Sequence, residues 1–446
     1  METKRRGVAC IAVALAFVAA ACSTSSRPSS TDASAASGGL ATGKLTASAR
    51  GVTAATIKIA FTYPDLEALA KSGIENLSNG SYPDVVKALV DDINANGGID
   101  GRKLEVFSEK YSVLGTSGML ATCTKVTEDE KVFIVLGGFV NNSANLCVVR
   151  EHATPMLSLF GSGFNRVVLA QARAPWATPN ASDERSIKAL VQALTRQRSL
   201  AGKTIGLYGG SASSTPLVDL TESTLKRAGY NVKATAINDA TDLQALDSQD
   251  KIIGTKFKDE GIDVVFVLFA PPPGSNFDAV DFHPAMYSPQ TALISAGAFT
   301  NPYERFPIVA GLGASSDPDQ GYNSAEMRRC RAIWTKATGT EIKTPPEERK
   351  DGKSSNFFAM SNACTALRIF VEAAKAAGPN LTPTTWQHGL GSLGTIQAAG
   401  GYTISFTANK PDGQDSFQLA KFNPAWKANS DIPPFLRIGD PITLVR

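Results

Sequence analysis

Residues 85–111 read VVKALVDDINANGGIDGRKLEVFSEKY. Val85, Val86, Leu89, Val90 and Ile93 recur at helical spacing, and Ser81 with Pro83 ahead of them supplies a helix start. Asn96, Gly97 and Gly98 come where a helix closes in left-handed residues. Gly101 allows the chain to turn back, and RKLEVFSE then reads as a strand. Upstream, Ile57, Ile59 and Phe61 alternate as a first strand. The unit is therefore strand, helix, strand, the building block of a parallel sheet.

Working outward, the same alternation continues. A helix is expected from about Gly118 to Glu128, with Met119, Leu120, Cys123 and Val126 on one side. VFIVLGG, Val132 to Gly138, is a continuous apolar run and reads as a buried parallel strand. A short helix carries Ala144, Cys147, Val148 and Glu151, and PMLSLF opens another strand at Pro155. The pattern restarts near Lys203. KTIGLYGG, NVKATAI, DVVFVLF (Asp263 to Phe269) and TALISA (Thr291 to Ala296) read as strands, with helices after Pro216 and through DKIIGTKFKDEG. Two such series imply an α/β protein of two doubly wound parallel-sheet lobes, with helices on both faces of each sheet.

The last part is helical again, from Ala325 to Ala337 and from Asn356 to Ala377. KTPPEERKDGK, Lys343 to Lys353, reads as a surface loop. YTISFTA and SFQLAKFN read as a two-strand ending joined by a PDGQD turn.

The start of the chain fixes the expected address. Lys4, Arg5 and Arg6 precede an apolar run from Gly7 to Ala21, which is the pattern of a secretory signal peptide, residues 1–21. Ala19, Ala20 and Ala21 before Cys22 resemble a bacterial lipobox, which implies lipid attachment at Cys22; the alternative is plain secretion with a cut near Ala21. Residues 22–50, rich in Ser, Thr, Ala and Gly, form a flexible tether of about 30 Å coil length. Removing residues 1–21 takes away three basic groups and Glu2 and leaves 41 basic against 40 acidic residues. A chain so close to neutral is no dedicated nucleic-acid binder. At 446 residues with 43% hydrophobic content it is also no disordered chain, coiled coil or small disulfide scaffold.

Beyond Cys10 in the signal and Cys22, four cysteines remain in a chain expected to be exported, which suggests two disulfides. Three pairings are open. In a doubly wound sheet, the helices entering and leaving the third strand lie side by side on one face, which brings Cys123 and Cys147 together. That bridge would close a loop worth about 3.5 kcal/mol. Cys330 and Cys364 would then pair across the later helices; unpaired thiols in the core are the alternative. No CxxC pair, P-loop, GxGxxG, GxSxG or HExxH pattern is present, and His152, His283 and His388 are far apart in sequence. No cofactor, metal or catalytic residue is expected.

The residues of the opening stretch resemble the helix–turn–strand of type I periplasmic binding proteins, closest to the leucine/isoleucine/valine-binding family with its INxxGGIxGRxL turn. TCTKVTEDEKVFIVLGG, KTIGLYGG, GIDVVFVLF and SNACTALRIFVEAA from Ser361 are similar to further units of that family in the same order. The resemblance covers residues 55–435. It implies two lobes that close on a small molecule, with a multi-strand hinge between them. The lobes would be residues 51–172 with 297–400, and 173–296 with 401–446.

Ligands of open parallel sheets sit beyond the carboxyl ends of the strands. That rule names Tyr63 and Asp65 after the first strand. By resemblance, the loops that hold a ligand's carboxylate and ammonium carry Asn141 and Asn142, then Ser158, Phe160, Gly161 and Ser162. Asn stands where the family usually has Ser, and Phe160 where a small residue is common, which argues against an ordinary branched-chain amino acid. The second lobe would supply Tyr208, placed like the family's ring-stacking tyrosine, with Ser211, Ala270 and Pro271. The scaffold alternatives are Asn142 as a helix cap, Ser162 with Gly161 and Gly163 as a plain turn, Asp65 as a solvated loop carboxylate, and Phe160 and Tyr208 as core. The implied function is the lipid-anchored solute-binding component of an ABC importer, a monomer whose partners are a small polar solute, amino acid or amide-like, and a membrane permease. An extracellular ligand sensor acting through a partner receptor, and an exported hydrolase, are the alternatives.

Overall fold

The computed structural model describes residues 44–67, 80–113, 115–160, 163–210, 215–240, 243–268, 272–290, 305–312, 321–351, 356–427 and 430–444. The signal, Cys22, most of the tether and the TALISA strand lie outside the described residues.

The first series runs β1 (Thr56–Pro64), α1 (Tyr82–Ala95), β2 (Lys103–Tyr111), α2 (Ser117–Thr124), β3 (Ile134–Gly137), α3 (Asn142–Leu146), β4 (Met156–Ser158), α4 (Arg166–Leu169), β5 (Trp176–Ala177) and α5 (Asp183–Arg196). The second runs β6 (Ile205–Gly209), α6 (Thr215–Arg227), β7 (Val232–Ile237), α7 (Leu243–Asp259), β8 (Val264–Val267), α8 (Gly274–Ala279), β9 (Ala285–Ser288) and β10 (Ile308–Leu312). The remainder comprises α9 (Ala325–Thr338), α10 (Pro345–Asp351), α11 (Phe357–Ala377), α12 (Pro383–Gly391), β11 (Thr395–Gln397), β12 (Thr403–Ser405), β13 (Ser416–Phe422) and β14 (Phe435–Thr443). Both α2 and α3 end in a π-helical turn, Lys125–Asp129 and Cys147–Glu151. Among the described residues no helix is long and apolar enough to cross a membrane.

The first sheet has the order β2-β1-β3-β4-β5, all parallel. The second reads β7-β6-β8-β9-β10 from its far edge, the same walk in the same direction, and adds β13 and β14 antiparallel beyond β10. The strand pleat sorts the core. Ile57, Ile59, Phe61, Ile134 and Leu136 pack with α1, α9 and α11, while Ala60 and Val135 pack with α2 and α3 on the other face. In the second sheet Ile205, Leu207, Val264 and Phe266 meet α5 and α6, while Tyr208, Val265 and Val267 meet α7 and α8.

The disulfides Cys123–Cys147 and Cys330–Cys364 both form, with Cα atoms 6.4 and 6.2 Å apart. The first ties α2 to the turn after α3, and the second ties α9 to α11. The wholly buried Arg102 ties down the incoming chain: its guanidinium donates to the carbonyls of Thr53, Thr46 and Pro379.

Four expectations are corrected. Within the expected loop Lys343 to Lys353, Pro345–Asp351 is helical, because Thr344 and Glu347 cap one another and Pro345 at the first position starts α10. The two-strand ending is no hairpin: β12 pairs with β11, whereas β13 joins the second sheet. The expected break at 172/173 comes early, since β5 at Trp176–Ala177 belongs to the first sheet. The break at 296/297 also comes early, since β10 belongs to the second. Two of the passages between the sheets run side by side: Thr178 N donates to Pro411 O and Gly413 N to Thr178 O, at 3.0 and 2.7 Å. Asp412 locks them, accepting from Ser182 N at 2.8 Å and from Arg185 at 2.7 Å.

Candidate functional site

In both sheets the strand order reverses between the first and third strands, the place where open parallel sheets take ligands. In the first sheet that point is drawn tight by glycine. Gly137 has φ +102°, and a Cβ on it would lie 2.1 Å from the Thr62 carbonyl oxygen. Thr62 Oγ1 donates to Gly138 O at 2.9 Å across the same gap. The backbone beyond is fixed by Asn145, whose amide accepts from Phe139 N at 2.8 Å and donates to Phe139 O at 3.0 Å.

A cleft has walls from both sheets. Asn142, Ser158, Phe160, Trp176, Asn180 and Asp183 come from the first series, and Gln290 follows β9 of the second. Its volume is about 330 Å³ including space open to solvent. Asn142 Nδ2 donates to Gly163 O at 3.0 Å. Ser158 Oγ accepts from Trp176 Nε1 at 3.0 Å, and Phe164 meets the Trp176 ring edge-on at 5.4 Å. Asn180 Nδ2 reaches Leu159 O at 3.2 Å. Asp183, the first residue of α5, accepts from Asn165 Nδ2 at 3.0 Å and from Gly163 N at 3.4 Å. Burial pushes its carboxyl up to about 7, against the lowering effect of those two bonds.

Of the residues expected from sequence, the structure brings Asn142, Ser158 and Phe160 together on this wall. Asn141 lies beside it as the helix cap, accepting from Ser143 N at 2.7 Å, so the capping role expected for Asn142 belongs to its neighbour. Tyr63 does not reach the wall; β1 alternation turns its ring onto Tyr82, 5.1 Å away. Asp65 pairs with Lys110 at 3.1 Å. The expectation that Tyr208 faces the cleft is corrected. Strand parity turns it among Phe257 and Phe277, and its hydroxyl donates to Asp250 at 2.7 Å. Burial raises the Tyr208 hydroxyl far above the usual tyrosine range. Gly161, Ser162, Ser211, Ala270 and Pro271 lie outside the described residues.

Sequence reasoning missed Trp176, Asn180 and Asp183. The two-residue strand β5 has no periodicity to read, but Ser182-Asp183-Glu184 ahead of Ile187, Leu190, Val191 and Leu194 was a visible helix start. Among the described residues, two places bring three residues of metal-binding type together, Cys123–Cys147–His152 and Glu326–Cys330–Cys364. In each the cysteines are joined to one another, which leaves one usable ligand.

Residues 56–425 match the family model of periplasmic binding proteins. No curated protein matches the sequence. Among solved structures, the chain is similar to an ABC transporter substrate-binding protein of Desulfitobacterium hafniense in complex with leucine, at 16% identity and a TM-score of 0.54, over 86% of this chain and 99% of that one. It is similar to the branched-chain amino acid transporter substrate-binding protein of Streptococcus pneumoniae in complex with isoleucine, at 16% identity and a TM-score of 0.56, over 86% and 100%. A solute-binding protein of Rhodopseudomonas palustris in complex with 3,4-dihydroxybenzoic acid has 13% identity and a TM-score of 0.60, over 88% and 98%. At these identities the likeness is one of fold.

Proposed function

The chain belongs to the family of periplasmic binding proteins, and on that premise we propose that it is the extracytoplasmic solute-binding component of an ABC importer. It captures a small polar molecule, amino acid or amide-like, between its two sheets and delivers it to a membrane permease. The observation that carries this reading is the pair of sheets with one strand order, beside a polar and aromatic cleft lined by residues of the first series and by Gln290 after β9 of the second. The similar proteins that hold leucine, isoleucine or a dihydroxybenzoic acid support it. Asn142, Ser158 and Phe160, with Gly161, Ser162, Ser211, Ala270 and Pro271, are the proposed ligand contacts. Cys22 is the proposed lipid site, and residues up to 50 the tether that holds a monomer at the outer face of the membrane. Capture then works by population shift: the solute binds the closed arrangement better and so populates it.

The test is thermal unfolding of the purified protein, disulfides intact, against a solute library. A solute at about 100 times its dissociation constant adds roughly 2.7 kcal/mol to the native state and raises the midpoint by a few degrees. The bound solute should be recovered chemically unchanged, as a carrier requires and a hydrolase does not allow. A folded, ligand-free sample that no solute stabilises would remove the importer reading.

A further inference from the structure

Asp183 is the one charged residue among the described residues that wall the cleft, and it is 2% exposed. The rest of that wall is amide, hydroxyl, aromatic and a single alanine. Both groups that donate to its carboxyl among the described residues, Asn165 and Gly163, are neutral, and the one charge acting on it there is the like charge of Glu184. Arg185, next along α5, is turned instead to Asp412 and to Leu444 O. A buried carboxylate without a cation is costly, and the amino end of α5 offsets only part of that cost. A primary ammonium would supply the missing cation, and amide oxygens on the same wall are acceptors of the kind its other hydrogens require; Phe160, Phe164 and Trp176 on that wall suit an aromatic or alkyl body.

We propose that Asp183 is the counter-ion for a primary ammonium group of the solute, and that the cleft takes organic cations of the aryl- or alkylammonium type and disfavours solutes whose sole charge is a carboxylate. This rests on the solute-binding reading and narrows it. A benzoate would meet a like charge at Asp183 and no described cation on the wall.

Asp183 titrates at about 7, so part of it is protonated at neutral pH. A bound ammonium expels that proton. Binding at pH 7 should release about half a proton, and affinity should rise about tenfold between pH 6 and pH 8.

The experiment is calorimetry of the purified protein with 2-phenylethylamine, 2-phenylacetamide and phenylacetate, which share a ring and spacer and differ in charge. Titrations in two buffers of different ionisation enthalpy count the protons. The expected result is tightest binding by the amine with proton release, and loss of about 30-fold in amine affinity in Asp183→Asn with the amide unaffected. Tightest binding by phenylacetate overturns the assignment and leaves the solute-binding reading standing. So does amine binding without proton release, a result that needs only the wild-type protein. Amine affinity retained in Asp183→Asn, or a library solute without cationic nitrogen as the sole binder, does the same. Silence from all three and from the whole library removes both.

Discussion

Of the four buried carboxyls among the described residues, Glu326 and Asp412 pair with arginines, whereas Asp183 and Asp250, one from each series of strands, have no cation beside them. In the second half Asp250 accepts from Tyr208, Asn238 and Asn276, with Tyr208 at 2.7 Å and Asn238 at 2.6 Å, all inside a closed core of Phe257 and Phe277. In the first half Asp183 has two neutral donors and stands on the cleft wall. Burial raises both. One strand order, repeated, thus carries two different uses of a buried acid. Three internal side-chain donors make Asp250 scaffold, whereas Asp183, with two neutral donors and a place on the cleft wall, is the one proposed to meet a ligand. A shifted carboxyl by itself does not tell them apart; its partners and the space beside it do.

The halves also differ in covalent support, since both disulfides staple helices of the first sheet. Replacing each pair by serine should cost about 3.5–4 kcal/mol per bridge in the chain-entropy model. Hydrogen exchange should show the loss of protection in α2, α9 and α11 before α6 and α7. Equal loss in both halves would mean that they unfold as one unit.

Next in size is the pH dependence of stability. Asp183 sits near 7 folded and near 4 unfolded, so the folded state holds the extra proton between those values. Stability from this group is therefore highest in acid and falls by up to about 4 kcal/mol as pH rises from about 4 to above 7. Denaturant titrations of Asp183→Asn should lack that slope; an unchanged slope would place the titration elsewhere. Smaller still is Tyr208→Phe, which leaves Asp250 short of a buried donor and should cost about 1–3 kcal/mol. Solute affinity should not change, and a tenfold loss would return Tyr208 to the cleft. The smallest effect is Thr344→Ala, which uncaps α10 for about 1 kcal/mol, measurable as a drop in midpoint with binding intact.

Much of the scaffold was legible because its signals are local. The apolar runs of β3 and β8, the Asn96-Gly97-Gly98 close of α1 and the alternation of β1 each need only a few neighbouring residues. The cysteine pairs followed from topology, not from the cysteines themselves. What could not be read depended on parity or on partners far along the chain. Whether Tyr208 faces cleft or core changes with one residue of register. β5 is two residues long, β10 owes its place to β9 and β13, and Asp183 becomes a wall residue only because β5 delivers the chain there. A proline-rich charged segment read as a loop because two prolines outweighed a Thr–Glu cap that makes them good helix starters.

Arg102 holds the carbonyls of Thr46, Thr53 and Pro379, and Ser48 adds a bond to Leu381 at 2.7 Å. The described chain therefore enters riveted to the stapled half, beside the turn at Gly98 and Gly101. Any tension arriving along the chain from residue 44 is carried in shear by these bonds and ends in the first sheet. The second sheet, joined to the first through the crossing passages, lies outside that load path.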